Sequence, residues 1–134
     1  MMTMKQQITV RAGNSGTVGP SGGSDLGLVL NARVGDDGMD LTGQEIVFRV
    51  WARGEEVLRK DTSDGVTLSE GTDAAGDPSG VQNKITVEIT VADSRTLQAS
   101  GPALRYEVER QPSATEQRTI IYGPLIVEPG VNDD

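Results

Sequence analysis

Residues 44–53 read QEIVFRVWAR, a segment in which apolar side chains recur on every second position. A period of two is typical of a β-strand, because successive side chains point to opposite faces of a sheet. One face carries Ile46, Phe48, Val50 and Ala52, and the other carries Val47, Arg49, Trp51 and Arg53. We predict a strand that packs the Phe48 face into a core. Gly54 and Glu55 then form a tight turn into a second strand at 56–60.

Residues 84–93, KITVEITVAD, show the same alternation. We predict a second core strand there, whose apolar face consists of Ile85, Val87, Ile89 and Val91. The sheet that carries Phe48 is the expected partner of this face.

Shorter period-two segments recur at 8–12, 26–34, 65–68, 104–109 and 118–127. Gly123 and Pro124 interrupt the last one, which suits an edge strand, a bulge or a bend. Only 92–99, ADSRTLQA, is predicted as a helix. Strands of this number and spacing indicate a two-sheet sandwich or a small barrel.

Tyr106 adds a more specific pattern. Together with Asp93 and Gly101 upstream, it matches the corner before strand F of an immunoglobulin fold, where a tyrosine hydroxyl bonds to backbone a few residues upstream. A plain core aromatic explains Tyr106 equally well. We predict an all-β fold, an immunoglobulin-like two-sheet β-sandwich of about seven short antiparallel strands.

The length of 134 residues predicts a single domain over 1–134. The Gly- and Ser-rich stretch 13–25, GNSGTVGPSGGSD, is predicted as a flexible loop, and 128–134 as a frayed tail. Aromatic residues make up only 3% of the chain, so we expect contacts with partners to contribute to its stability.

The chain is acidic, with a net charge of −8 and a pI near 4.5. This balance argues against binding to nucleic acid or to an anionic membrane, since both attract basic surfaces. No stretch has the pattern of a signal peptide or the apolar length of a membrane span. We therefore expect a protein made in a cytosol, with no membrane insertion.

The composition also restricts the chemistry, because the chain has no histidine and no cysteine. Ser-His and Cys-His nucleophile pairs and the usual zinc and iron ligands are therefore ruled out. The glycine-rich segments lack the Lys-Ser/Thr ending of a phosphate-binding loop. We predict no enzyme activity and no cofactor.

Acidic residues form two groups along the chain. One turn carries Asp36, Asp37 and Asp40, and a later loop region carries Asp61, Asp64, Glu70, Asp73 and Asp77. Neither group fits the calcium loop D-x-[DN]-x-[DN]-G, because Arg33 and Lys60 stand at the first ligand positions. We interpret these residues as solvated turn carboxylates, with an irregular calcium site as the alternative.

Trp51 is the strongest candidate for a binding residue, and Arg49 and Arg53 flank it on the same predicted face. Aromatic side chains beside arginine are favoured at protein interfaces and on sugar-binding platforms. We predict that Arg49, Trp51 and Arg53 form a protein interface, and a sugar platform is the alternative. Cover by the glycine-rich loop would give Trp51 a structural role instead.

Five segments together resemble the small immunoglobulin-like domain of tailed-phage and prophage structural proteins, above all the N-terminal domain of upper baseplate and related tail proteins. They read MDLTGQEIVFRV, DGVTL, KITVEITVADSRTL, GPALRYEVE and TIIYGPLIVEP. The matching positions are DLTG at 40–43, Asp93, Leu97, Gly101, Tyr106, Gly123, Leu125, Val127 and Pro129. The chain departs from the family pattern at Gly13-Asn14, where Gly-Asp is usual, and in its extended loop at 13–25.

The resemblance implies a virion protein that is made in the host cytoplasm and docks on other virion proteins. Its position would be in a tail, baseplate, connector or capsid surface, and it would carry no catalytic residues. We expect a symmetric homo-oligomer. A carbohydrate-binding or adhesin-like β-sandwich module is the alternative, with Trp51 as the stacking platform.

Overall fold

A computed structural model describes residues 4–11, 17–19, 22–24, 28–34, 36–113 and 115–128. The strands in this part of the chain are β1 (Met4–Lys5), β2 (Ile8–Arg11), β3 (Thr17–Gly19), β4 (Gly22–Ser24), β5 (Leu28–Asn31), β6 (Arg33–Val34), β7 (Asp37–Gly38), β8 (Glu45–Ala52), β9 (Glu55–Asp61), β10 (Val66–Ser69), β11 (Lys84–Val87), β12 (Leu104–Ser113) and β13 (Glu116–Glu128). The helix is α1 (Val91–Ala99).

These strands form a large sheet, a small sheet and a separate hairpin. The large sheet has eight strands in the order β4-β3-β2-β13-β12-β8-β9, with β1 also paired to β13. The small sheet has the order β10-β11-β5, and β6 pairs with β7. The predicted all-β class is confirmed. The strands are more numerous than predicted, and β1 and β2 run parallel to β13 instead of antiparallel.

One apolar core draws on both multi-stranded sheets. Strand β8 contributes the predicted face, with Phe48 and Val50 fully buried. The Phe48 ring stacks on Tyr106 of β12, with ring centroids 5.8 Å apart. The small sheet contributes Leu30, Val66, Ile85 and Val87. Burial of such side chains stabilises the fold by roughly 1.5–3 kcal/mol each, so this cluster is the main source of stability.

β1 and β2 pair with the same side of β13 in one register, and between them the Gln6 backbone passes over Gly123. We call this contact the crossing. β1 pairs with β13 as far as Tyr122, and β2 replaces it from Leu125 onward. At the crossing, the Gln6 N–H donates to the Tyr122 carbonyl at 2.9 Å, and the Tyr106 hydroxyl donates to the Gln6 carbonyl. A Cβ at Gly123 would come within 2.9 Å of the Gln6 carbonyl carbon. The Gln6 backbone therefore fills the space that a side chain at 123 would need.

This crossing corrects the predicted tyrosine corner. The hydroxyl of Tyr106 bonds to Gln6, 100 residues away, and not to the backbone just upstream. Tyr106 is a fully buried core aromatic, as the alternative interpretation holds. Burial raises the pKa of Tyr106, so its hydroxyl stays a donor throughout the ordinary pH range.

The position of Pro124 is explained by the same crossing. β13 lies inside the large sheet, so it is not an edge strand. The Tyr122 carbonyl points toward Gln6. Pro124 lies two residues later in the strand, so its backbone nitrogen, which carries no hydrogen, is on the same side. That position faces the gap between β1 and β2, where the pairings of the described residues include no ladder partner that requires a donor.

We expect Tyr106→Phe to lower the free energy of unfolding by about 1–2 kcal/mol, because the Gln6 carbonyl loses its donor in a buried site. Gly123→Ala forces the crossing apart, and we expect it to cost about 1–3 kcal/mol. Urea denaturation measures both. Tyr122→Phe is the matched control on the same strand and should change stability by less than about 0.5 kcal/mol. A silent Tyr106→Phe would show that the bond does not hold the crossing.

The segment 84–93 divides into a strand and the start of a helix, so the prediction of one strand there is wrong. β11 ends at Val87, and α1 begins after Thr90. The Asp93 N–H donates to the Thr90 hydroxyl, and the Thr90 N–H donates to the Asp93 carboxylate, both at 3.0 Å. This capping box fixes the start of the helix and overrides the alternating pattern.

The helix start changes which residues of this segment enter the core. Ile89 is buried as predicted, whereas Val91, a predicted core residue, is 40% exposed in the first helical turn. The helix predicted at 92–99 is confirmed, and Leu97 packs it against the core.

Lys60 of β9 ties the helix start to the large sheet. Its Nζ lies 2.9 Å from Asp93 Oδ2, and the two side chains are only 14% and 18% exposed. Partial burial by itself raises the pKa of Asp93. The bonds from the Thr90 N–H and the Lys60 ammonium outweigh burial, so the pKa lies below its ordinary value.

Because the pKa of Asp93 is lowered on folding, its carboxylate adds stability at neutral pH that is lost as the pH falls through the folded value. We expect Asp93→Asn to cost about 1 kcal/mol at pH 7 and to approach wild-type stability as the pH falls from neutral through the folded pKa of Asp93. Denaturation across this pH range measures the difference. The pH-dependent part should shrink in Lys60→Met, and a difference that persists unchanged at low pH would contradict this assignment.

Asn83 organises the polar loop between β10 and β11. Its buried carboxamide oxygen accepts from the Gly71 N–H at 3.0 Å and the Ser79 hydroxyl at 2.6 Å. Its amide donates to the carbonyls of Ala32 and Thr72, at 2.9 and 3.0 Å. One buried side chain thus satisfies four groups and fixes a loop that the sequence identifies only as polar.

The described part of 13–25, predicted as a flexible loop, consists of β3 and β4, which pair with each other. β3 also pairs with β2 and so extends the large sheet. The other residues of 13–25 lie outside the described residues. So does the predicted tail 128–134, except Glu128, which belongs to β13 and is not frayed.

Candidate functional site

The outer face of the large sheet, opposite the core, carries the candidate site. Strand pairing places Trp51 of β8 beside Arg105 of β12, and Arg49 beside Glu107. Tyr122 of β13 continues the row from Glu107. Alternate residues of these strands enter the core, so these five side chains share the outer face. We call these five residues the outer patch. The prediction that Arg49 and Trp51 share the face opposite Phe48 is confirmed.

An open groove of about 290 Å³ crosses the outer patch. Trp51, Arg105, Glu107 and Tyr122 line it, together with Gly54 and Tyr106. Trp51 and Tyr122 are half-buried, whereas Arg105 is exposed. The groove therefore offers two aromatic stacking surfaces, one cation and one carboxylate. Groups of these kinds can bind a partner through stacking and charged hydrogen bonds.

Arg49 contacts carboxylates within the sheet. Its Nε lies 3.2 Å from Glu109 Oε1 and 3.6 Å from Glu56 Oε1. The angles at Nε are poor for a hydrogen bond, so these contacts are ion pairs. Burial raises the pKa of Glu109, and the Arg49 charge partly opposes that rise. Arg49 thus compensates a buried carboxylate, and it is not among the residues that line the groove.

We expect Arg49→Met to cost about 1–3 kcal/mol at pH 7, because it leaves Glu109 buried without a countercharge. The same substitution in a Glu109→Gln background should cost clearly less. Thermal or urea unfolding of the four proteins closes this double-mutant cycle. Equal costs in both backgrounds would contradict the role of Arg49 as countercharge.

Arg53 lies apart from the outer patch, because β8 ends at Ala52. Arg53 and Gly54 form the turn into β9, with φ values of +52° and +85°. Left-handed backbone at both positions is typical of a two-residue hairpin. The turn therefore comes one residue earlier than predicted. The Arg53 guanidinium lies near Gly101, beyond the end of α1, so the structure does not group it with Trp51.

The glycine-rich loop does not cover Trp51 in the part of it that the structure describes. Strands β2, β13 and β12 separate β3 from β8 in the large sheet. In the sheet, Trp51 lies between Arg105 of β12 and Glu56 of β9.

The acidic residues mostly stabilise turns. The Thr42 hydroxyl and N–H donate to Asp40 Oδ1 at 2.6 and 3.0 Å, and these bonds lower the pKa of Asp40. Asp73 Oδ1 accepts from the Ala75 and Asp77 N–H groups. Within the described ranges, no group of three or more acidic residues is arranged to hold a metal ion. Carboxylates used in this way are not available to converge on a ligand.

Sequence reasoning missed Arg105, Glu107 and Tyr122 as members of the site. The alternation of ALRYEVER places Arg105 and Glu107 on the face opposite Tyr106, so that signal is present. The register that sets them beside Trp51 and Arg49 is a long-range property, which periodicity does not contain.

No protein-family model matches the chain, and no curated protein matches it in a sequence comparison. Among the residues that the structure describes, no helix is long and apolar enough to cross a membrane.

Proposed function

We propose that this chain is a non-enzymatic structural protein of a tailed-phage or prophage particle, which assembles with other virion proteins through the outer patch. The open groove between Trp51, Arg105 and Tyr122 is the observation that carries the proposal. The few residues that supply most of the binding energy at protein interfaces are enriched in tryptophan, tyrosine and arginine. The half-buried Trp51 is already held in place, so it loses little conformational entropy on docking.

The strand order supports an immunoglobulin-like sandwich as the finer description of the fold. The order β13-β12-β8-β9 corresponds to strands G-F-C-C′, and β5-β11-β10 corresponds to B-E-D. Helix α1 lies in the connection from E to F, and both sheets contribute to one core. In this proposal β1 and β2 take the place of strand A, and β3 and β4 are an addition to it.

The assignment to a virion comes from the resemblance of the segments at 39–50 and 101–109 to phage tail domains. A tail, baseplate, connector or capsid-surface position fits an assembly role equally well. A chain without histidine or cysteine has few routes to catalysis, which favours a structural role over an enzyme.

We expect mass spectrometry to detect the chain in particles purified from the strain that carries its gene. Trp51→Ala should lower its amount there by about tenfold or more, since loss of a central aromatic anchor typically costs about 2 kcal/mol or more. Val91→Ala, at an exposed apolar site on α1, is the matched control and should leave incorporation unchanged. Absence of the wild-type chain from particles would contradict the virion role. Normal incorporation of Trp51→Ala would contradict docking through the outer patch.

A carbohydrate-binding module is the second candidate, because Trp51 and Tyr122 line one groove. Two aromatic surfaces beside a cation and a carboxylate suit stacking on a sugar ring and bonding to its hydroxyls. Glycan-array binding that Trp51→Ala abolishes would favour this function over protein docking.

A further inference from the structure

Strand β9 forms the end of the large sheet, and its sequence is complementary to itself in an antiparallel pair. Residues 55–60 read EEVLRK. About a two-fold axis between Val57 and Leu58, Glu56 of one protomer faces Arg59 of its partner, and Glu55 faces Lys60. We propose that two copies of this chain pair through β9 and join their large sheets into one continuous sheet.

The free edge of β9 is suited to such pairing. Among the described strands, β9 pairs only with β8, and a bridge to Gly65 occupies the edge at its last residue, Asp61, outside the segment 55–60. A strand edge presents unpaired N–H and C=O groups, which another strand can satisfy. Glu55, Glu56 and Arg59 are exposed, whereas Val57 and Leu58 are half-buried between them. The edge thus has an apolar centre with acidic residues on one side and basic residues on the other.

The faces of β9 obey the same two-fold symmetry. Residues paired with core-facing positions of β8 lie on the inner face, namely Glu55, Leu58 and Lys60. Glu56 and Arg59 pair with outer-face positions, and the bulge residue Val57 packs against the core. From 55 to 60 the order is inner, outer, inner, inner, outer, inner, which reads the same in both directions. Each side chain therefore meets one on the same face of the partner.

Other registers lack this agreement. A shift of one residue places the outer-face Glu56 opposite an inner-face residue of the partner. A parallel pair in register sets Glu56 against Glu56 and Arg59 against Arg59, and like charges directly opposite each other are destabilising. Only the antiparallel arrangement about Val57 and Leu58 matches both charge and face.

Two features of β9 often protect natural edges from pairing, namely a bulge and an inward-pointing lysine. The bulge at Val57 lies beside the proposed axis, so the two copies repeat it symmetrically and their faces still agree. The charge of Lys60 is already compensated by Asp93 at 2.9 Å. Neither feature opposes this particular pairing.

A charge exchange on the full-length chain tests the proposal. We expect the wild type to dimerise reversibly between about 1 µM and about 1 mM in sedimentation equilibrium. Glu56→Arg and Arg59→Glu should each weaken the dimer by about tenfold or more, because the two-fold axis counts each like-charge contact twice.

Mixing the two variants supplies the rescue. In a heterodimer, positions 56 and 59 are both basic in the Glu56→Arg chain and both acidic in the Arg59→Glu chain. Opposite charges then face each other at both contacts, so an equimolar mixture should restore dimers. Glu88→Arg is the matched control at an exposed site and should dimerise as the wild type does.

Three results would overturn the proposal: a wild-type chain that is monomeric at about 1 mM, a dimer that neither substitution weakens, or weakened variants whose mixture does not recover. Hydrogen exchange provides a second measurement, in which β9 amides should gain protection as the concentration rises. This dimer extends the proposed assembly role, but its test uses the purified chain and leaves Trp51 unchanged. Failure here is therefore distinguishable from failure of the particle experiment.

Discussion

The crossing of Gln6 over Gly123, held by the Tyr106 hydroxyl, is the contact on which much of the sheet depends. It sets where β1 gives way to β2 along β13, and β3 and β4 follow from β2. Tyr106 also stacks on Phe48 in the core, while the Gln6 N–H binds the carbonyl of Tyr122. The same few atoms therefore join the amino-terminal strands, the core and the strand that carries one wall of the groove.

Local sequence patterns predicted those features of the fold that depend on residues adjacent in the chain. Alternation gave the faces of β8 and β12 correctly, and Gly54 marked the turn after β8 to within one residue. At 84–93 two local signals compete, because the alternation continues through Val91 while Thr90 and Asp93 form a capping box. The cap prevails since it satisfies two backbone donors at the helix start, which a free strand end would leave to solvent. Partners distant in sequence, such as Gln6 for Tyr106, have no local signal.

The candidate site shows the same division. Periodicity identified Arg49 and Trp51 as neighbours on one face. It also assigned Arg53 to the same strand, whereas Arg53 lies in the turn that follows. Arg105, Glu107 and Tyr122 come from two other strands, and only the pairing register brings them to Trp51. The register between strands decides which side chains lie side by side on a sheet. The pattern within one strand therefore identifies the residues on one face of that strand, but not their neighbours on other strands.

The geometry of the sheet links the two proposed contacts. In an antiparallel edge pair whose facing residues share a face, the two-fold axis runs perpendicular to the sheet. The outer faces of both protomers then point to the same side, and a dimer through β9 presents two copies of the outer patch in one surface. Two linked grooves bind a repeating partner more tightly than either does alone, because the second contact forms at high effective concentration. An edge that pairs and a face that docks are therefore compatible roles for one small sheet in a symmetric assembly.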